Sequence, residues 1–218
     1  MVLSARLLML VAVVVMGLAR TSDGATILLA NLTTTQEPGV IIPTTSAGAP
    51  RPVSFGSAIF ELNDAMTALS FTATIFNIDV TGSQTPDTND NLTAAHIHAS
   101  SNPGFTPPAT AGVVWGFFGL PFNNINPNDQ VNTPFATGVG GTFSGTWNLP
   151  EGNNTTLAAQ LPNILAGRSY MNFHTTQFGG GEIRGAITAV PEPSTMMLLS
   201  GGLAILARAR RRRTNARS

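Results

Sequence analysis

The sequence predicts an all-β protein, built as an antiparallel β-sandwich or Greek-key barrel of about eight strands with one short helix. Glycine and proline are frequent, at 22 and 15 of the 218 residues, while only 10% of the residues are charged. Apolar and polar side chains alternate along short runs, which is typical of strands with one buried face. Turn-forming stretches separate these runs at the spacing of a β-sandwich.

The strands are predicted from this alternation, which is clearest at Leu69, Phe71, Ala73 and Ile75. The loops between them are rich in glycine, proline or asparagine, and one asparagine-rich loop is predicted over 121–134. The predicted strands are 25–34, 53–62, 68–80, 94–99, 112–120, 136–149, 169–175 and 182–190.

One helix is predicted, over residues 156–165. Asn154 or Thr155 can cap its first turn, and Gly167 stands where a helix commonly ends. Pro162 falls late in this stretch and is expected to kink or shorten the helix, because proline removes a backbone donor.

Charge is distributed unevenly along the chain. Eight of the 11 arginines lie near the two ends, whereas residues 26–190 contain three arginines and nine acidic residues, an excess of six negative charges. A domain of that sign lacks the basic surface that nucleic-acid binding requires. The chain has no cysteine, which excludes disulfides and thiolate metal sites.

Residues 1–25 have the parts of a secretory signal peptide, so we expect the export machinery to act on the chain. Arg6 supplies the positive start, residues 7–18 are apolar or small, and a small-residue cleavage site follows near Ala25. The apolar run is too short for a membrane-spanning helix, which needs about 20 residues. The alternative is an uncleaved N-terminal anchor.

The C-terminal segment 191–218 is predicted to be a sorting tail. A Pro-Glu-Pro motif is expected to stay extended, the apolar run 196–207 to enter a bilayer as a helix, and the arginine cluster to remain on the cytoplasmic side. The residues expected to matter are Pro191, Glu192, Pro193, Arg210, Arg211, Arg212 and Arg213.

This order of motif, apolar helix and basic end resembles the PEP-CTERM sorting signal of bacteria. The resemblance implies processing by exosortase, a membrane enzyme, after transient anchoring in the inner membrane. It further implies release to the cell surface or to an extracellular exopolysaccharide matrix. The alternative is a plain C-terminal membrane anchor.

All three histidines of the chain fall on predicted strands. Because side chains alternate between the faces of a strand, His96 and His98 share one face, and His174 shares the corresponding face of its strand with Asn172. The last strand is expected to present Glu182 and Arg184 on the same side, as an ordinary same-face pair. Three imidazoles can bind one copper or zinc ion. The alternative is a structural role, with Asn172, Glu182 and Arg184 as hydrogen-bond partners of the histidines.

Three segments together resemble the CHRD domain. They are Leu-Thr-Ala-Ala-His-Ile-His-Ala (92–99), Tyr-Met-Asn-Phe-His-Thr-Thr (170–176) and Gly-Glu-Ile-Arg-Gly (181–185). The resemblance extends over residues 25–190 and implies an extracellular β domain that is not an enzyme. A weaker resemblance links His96, His98, His174 and Arg184 to the copper site of Cu/Zn superoxide dismutases. The chain lacks the further bridging histidine of those enzymes, so dismutase activity is not expected.

These features predict an exported, non-enzymatic protein of the cell surface or matrix that binds extracellular polysaccharide or surface proteins and needs no cofactor. The alternative is a copper- or zinc-binding domain with a redox or metal-buffering role. The acidic segment 87–91 is expected to be a solvated turn, since it lacks the full ligand spacing of a calcium loop. Trp115 and Trp147 are expected in the core.

Overall fold

Ten strands pair into a single antiparallel sheet within residues 25–190, the part of the chain that this computed structural model describes. The predicted cleavage segment before residue 25, the Pro-Glu-Pro motif, the apolar run 196–207 and the arginine cluster lie outside the described residues. The strands are β1 (Thr26–Thr33), β2 (Phe55–Leu62), β3 (Ala68–Phe76), β4 (Leu92–Ala99), β5 (Gly112–Phe118), β6 (Val131–Pro134), β7 (Gly140–Asn148), β8 (Ser169–Thr175), β9 (Ile183–Ala186) and β10 (Thr188–Ala189).

The predicted all-β antiparallel class is confirmed, but the number of strands differs from the prediction. The predicted strand 182–190 divides into β9, which pairs with β8 and touches β1, and β10, which pairs with β1 alone. Strand β6 lies inside the predicted loop 121–134. It pairs only with β7 and is largely exposed, so it carries no burial alternation by which the sequence could reveal it.

The sheet curls until its two halves enclose the core. Its order is β5-β4-β8-β9-β1-β2-β3-β7-β6, so β5 and β7 lie far apart along the sheet. Nevertheless Trp115 of β5 stacks on Trp147 of β7 with ring centroids 5.6 Å apart, and Phe143 lies 5.5 Å from Phe173 of β8. Both tryptophans are fully buried, as expected. Aromatic side chains therefore join the halves of a half-barrel.

The one α-helix, α1 (Leu157–Leu165), follows β7, and a short 3₁₀ turn (Thr34–Gln36) follows β1. The predicted caps Asn154 and Thr155 are wrong by one or two residues. Thr156 has the extended backbone of an N-cap and accepts a bond from the Ala159 amide, whereas Asn154 has a φ of 53°. Within residues 25–190, α1 is too short to cross a membrane.

Candidate metal centre

Strand parity brings the three histidines to one face. Strand β4 pairs with β8 so that Ala94 lies opposite His174 and His96 lies opposite Asn172. Ala95, Ile97 and Ala99 belong to the hydrophobic core, so the intervening His96 and His98 leave the sheet on its other side. His174 reaches the same side from β8 and lies diagonally beside His96, with ring centroids 4.9 Å apart.

The imidazoles are buried although they point away from the core. His96, His98 and His174 are 5%, 7% and 8% exposed, because the loops after β4, β5 and β8 cover them. Gly116 makes one of these approaches possible: a Cβ at this position would lie 1.8 Å from the Pro121 carbonyl oxygen. Only glycine at 116 lets the loop after β5 lie this close to β4, next to His96.

In each imidazole, one ring nitrogen lies within hydrogen-bond distance of a backbone carbonyl oxygen. His96 Nε2 lies 3.0 Å from the Leu120 oxygen, His98 Nδ1 lies 2.9 Å from the Ala111 oxygen, and His174 Nδ1 lies 3.1 Å from the Gly179 oxygen. A carbonyl oxygen only accepts hydrogen bonds, so each of these nitrogens must carry the hydrogen. A neutral imidazole has a single N–H. The opposite nitrogens of all three rings are therefore left with lone pairs.

The three rings that carry these lone pairs lie close together. His96 Nδ1 and His174 Nε2 are 3.2 Å apart, and one nitrogen from each of the three rings lies within 4.8 Å of the others. His98 Nε2 is buried and has no hydrogen-bond partner. Two nitrogens bound to one ion at about 2.0–2.1 Å are about 3.3–3.6 Å apart at tetrahedral or trigonal angles. The His96–His174 pair already has nearly this spacing.

Burial keeps the rings neutral. Burial and the neighbouring His174 together lower the pKa of His96 to about 4, although the bond to Leu120 opposes the shift. Burial likewise lowers the pKa of His98 to about 4, and it lowers the pKa of His174. Neutral imidazole is the form that binds metal ions.

His98 lies at one end of a stack of three side chains, followed by Tyr170 and Arg184. Its ring lies parallel to that of Tyr170, with centroids 4.7 Å apart, and the Arg184 guanidinium lies 4.1 Å from the Tyr170 centroid on a cation–π contact. Arg184 in turn forms a buried ion pair with Glu37, with Nη2 2.7 Å from Oε2. Burial raises the pKa of Glu37, and the Arg184 guanidinium opposes that rise.

Glu182 and Arg184 do not pair with each other, contrary to the expectation of a same-face pair. The Glu182 carboxylate binds Arg51 at 2.6 and 2.8 Å and also accepts from Ser54 and Thr175. Asn172 is fully buried, and its amide nitrogen lies 3.5 Å from the Gly180 carbonyl. The ring nitrogens of the histidines therefore contact backbone carbonyls and one another. They do not bind the side chains of Asn172, Glu182 and Arg184, which the sequence suggested as partners.

Sequence reasoning missed Glu37, Arg51 and the three carbonyls. Glu37 lies 147 residues from Arg184, and Arg51 lies 131 residues from Glu182, so no local pattern marks either pair. The only available signal was the scarcity of charge in this stretch, which makes each buried charge need a partner.

The acidic segment 87–91 behaves as a turn. Asp87 accepts hydrogen bonds from the Ser46 and Asn89 amides, and Asp90 accepts one from the Thr85 hydroxyl. Within residues 25–190, the three histidines are the one group of at least three His, Cys, Asp or Glu side chains placed to hold a metal ion.

Comparison with protein families gives two matches. A family model described as the CHRD domain matches residues 28–187, and a model described as the PEP-CTERM protein-sorting motif matches residues 189–213. No curated protein and no solved structure matches the chain.

Proposed function

The chain belongs to the CHRD domain family, and on that premise we propose that it displays at the cell surface a domain that binds one copper or zinc ion through His96, His98 and His174. The PEP-CTERM motif implies export, sorting to the cell surface and processing by exosortase. Transient anchoring through the apolar run 196–207 and delivery to an extracellular matrix are the finer parts of the proposal.

The observation that carries the metal site is the count of ring nitrogens. Three of the six are committed as N–H donors to carbonyls, which leaves one lone pair on each ring. The lone pairs of His96 and His174 face each other at 3.2 Å, and the His98 lone pair is buried without a hydrogen-bond partner. A structural role for the histidines leaves this arrangement unsatisfied, and unsatisfied buried polar groups are costly. A single cation satisfies all three lone pairs.

The carbonyl contacts also support a metal site. A histidine that binds a metal almost always donates its other N–H to a carboxylate, a backbone carbonyl or water, which fixes the ring orientation. Here all three rings meet this condition through Ala111, Leu120 and Gly179.

The enclosure of the site favours binding over catalysis. Catalytic metal sites keep one coordination position open to water or substrate. The free His98 nitrogen is buried, and loops cover all three rings. We propose a role in holding or buffering metal, without enzymatic activity.

Metal titration of the full chain, after removal of bound metal by a chelator, tests this proposal. We expect one copper or zinc ion per chain and a rise in melting temperature on its addition. At a free-ion concentration of about 100 times Kd the stabilisation should be about 2.7 kcal/mol. A His96→Ala/His98→Ala variant should lose both effects, whereas Asn132→Ala on the exposed strand β6 should keep them. A wild-type chain that binds neither metal would refute the site.

A second candidate function, binding of a matrix polysaccharide, is supported by the outer face of β1, β2, β3, β7 and β6. Cross-strand register places hydroxyl and amide side chains in one row, and a stacked Phe55–Phe76 pair borders it with centroids 4.7 Å apart. The row consists of Asn31, Ser57, Thr74, Thr142 and Thr133. Such a surface suits uncharged sugars, which present both hydroxyls and apolar C–H faces.

Co-sedimentation with purified matrix polysaccharide tests this second candidate. A Phe55→Ala/Phe76→Ala variant should bind less polysaccharide, and the His96→Ala/His98→Ala variant should bind as the wild type does. Equal binding by the phenylalanine variant would exclude this face.

Deletion of residues 191–218 tests the sorting part. The truncated protein should be exported but lose its surface location and its exosortase processing. An unchanged location and unchanged processing would show that the tail is not a sorting signal in this chain.

A further inference from the structure

We infer that the ion held by His96, His98 and His174 is monovalent copper, and that the site selects Cu(I) over Zn(II). This inference rests on the proposed function, because it takes for granted that the three histidines bind a metal. It is carried by the number of ligands, by their charge and by the charges around them.

The number of ligands is three. The carbonyl oxygens nearest the rings, those of Ala111, Leu120 and Gly179, each accept a hydrogen bond from the nitrogen on the far side of a ring. Within residues 25–190, the group placed to hold a metal contains no carboxylate. Zn(II) in proteins is almost always four-coordinate, with water completing the set where the protein gives three ligands. The buried lone pair of His98 lies away from solvent, which disfavours that water.

The carboxylates of Glu182 and Glu37 are both held by arginines, although Glu37 Oε1 has no hydrogen-bond partner. Both carboxylate oxygens of Glu182 accept hydrogen bonds from Arg51, and Glu37 holds Arg184 through its Oε2. Neither acid can turn toward the histidines without leaving a buried arginine uncompensated, which is strongly destabilising.

No negatively charged ligand therefore neutralises the charge of the ion. Three neutral imidazoles bring no negative charge, and desolvation energy rises with the square of the ionic charge, so a dication costs about four times as much as a monocation of equal size. Arg184 adds to this difference. Its guanidinium stacks on Tyr170, which stacks on His98, although the ion pair with Glu37 offsets part of its field.

Coordination geometry separates the two oxidation states of copper. Cu(II) prefers square-planar or tetragonal sets of nitrogen and oxygen ligands. His96 and His98 project from one strand and His174 from its neighbour, with centroid separations of 5.9, 4.9 and 6.1 Å. These separations are closer to those of an equilateral triangle than to three corners of a square, in which one separation is about 1.4 times the other two. A three-cornered, water-poor site of neutral ligands suits Cu(I).

Competition titrations on the full chain test this inference without any mutation. Under oxygen-free conditions, Cu(I) is titrated against a chromogenic Cu(I) chelator, and Zn(II) is titrated separately against a zinc indicator. We expect one Cu(I) per chain and an affinity at least about 100-fold above that for Zn(II). X-ray absorption should show three nitrogen neighbours around Cu(I).

The outcomes separate this inference from the proposed function. Zn(II) binding equal to or tighter than Cu(I) binding overturns the choice of copper and leaves the metal site standing. A stable Cu(II) resonance from the site in air overturns it in the same way. If neither ion binds, the proposed function fails and the inference fails with it. Loss of Cu(I) binding in His98→Leu assigns the ion to this site, and retained binding overturns the assignment.

Discussion

Two buried polar clusters lie beside the same sheet and differ in whether their polar atoms all have hydrogen-bond partners. The ion-pair cluster consists of Glu182, Arg51, Ser54 and Thr175, and each Glu182 oxygen accepts from Arg51 and from one hydroxyl. The histidine centre, His96, His98 and His174, donates to three carbonyls and leaves three lone pairs without donors.

Under the proposed function, the contrast separates a structural cluster from a binding site. The carboxylate of the ion-pair cluster is fully satisfied by the protein itself, so nothing needs to be added. The histidine centre has the lone pairs that the proposed ion would complete. Removing a member should therefore destabilise the first cluster strongly, and should cost the second cluster its ligand more than its stability.

Among the single substitutions, Glu182→Ala should be the most destabilising. Loss of the carboxylate leaves Arg51, whose side chain is 5% exposed, as an uncompensated buried charge. We expect the free energy of unfolding to fall by about 3–5 kcal/mol, measured by denaturant titration. Glu61→Ala, on an exposed position of β2, should change it by less than about 0.5 kcal/mol. Equal effects of the two substitutions would remove the contrast between the clusters.

A pH titration of the metal-free protein should produce a change at least as large, because two histidines contribute to it. His96 and His98 have a pKa of about 4 when folded, against 6.5 for an ordinary histidine, so the unfolded chain binds more protons between these values. Stability should be fully present above pH 6.5 and fall with decreasing pH down to about pH 4. The expected slope is about 1.4 kcal/mol per pH unit for each histidine. Urea unfolding along this range measures it, and the slope should be smaller in His98→Leu.

Gly181→Ala should have an intermediate effect, because this residue borders the Glu37–Arg184 pair. Its φ is +126°, and an added Cβ would lie 2.5 Å from Glu37 Oε1 and from the Asn172 amide nitrogen. We expect a loss of about 1–3 kcal/mol in unfolding free energy. Gly179→Ala is the matched control, since a Cβ there meets nothing within 4 Å. A loss of the same size in both variants would mean that turn flexibility, and not this contact, is responsible.

The smallest expected effect on stability is that of His98→Leu without metal. The substitution removes one carbonyl bond but also an unsatisfied buried nitrogen, so we expect a change within about 1 kcal/mol. The rise in melting temperature on metal addition should disappear in the same variant. A large loss of stability in the metal-free state would instead make the histidine centre a structural cluster like that of Glu182.

Features that depend on residues close together in the chain could be predicted from the sequence. Alternation along β4 and β8 placed His96, His98 and His174 on the side of the sheet opposite Ile97 and Phe173, because side chains in a strand alternate whatever the strand pairs with. The same local logic gave the all-β class and the helix near 157–165. It failed at β6, whose exposed residues do not alternate in burial.

Which groups come into contact depends on strand pairing and loop packing, which local sequence patterns do not specify. The pairing of β4 with β8 sets His96 beside His174, and the covering loops bring the Leu120, Ala111 and Gly179 carbonyls onto the rings. Arg184 pairs with Glu37 and not with Glu182, its near neighbour in the chain, because β1 lies beside β9 in the sheet and the turn after β1 brings Glu37 to Arg184 across 147 residues of sequence. Alternation is a property of the local backbone, whereas register and loop contacts depend on the packing of the whole core.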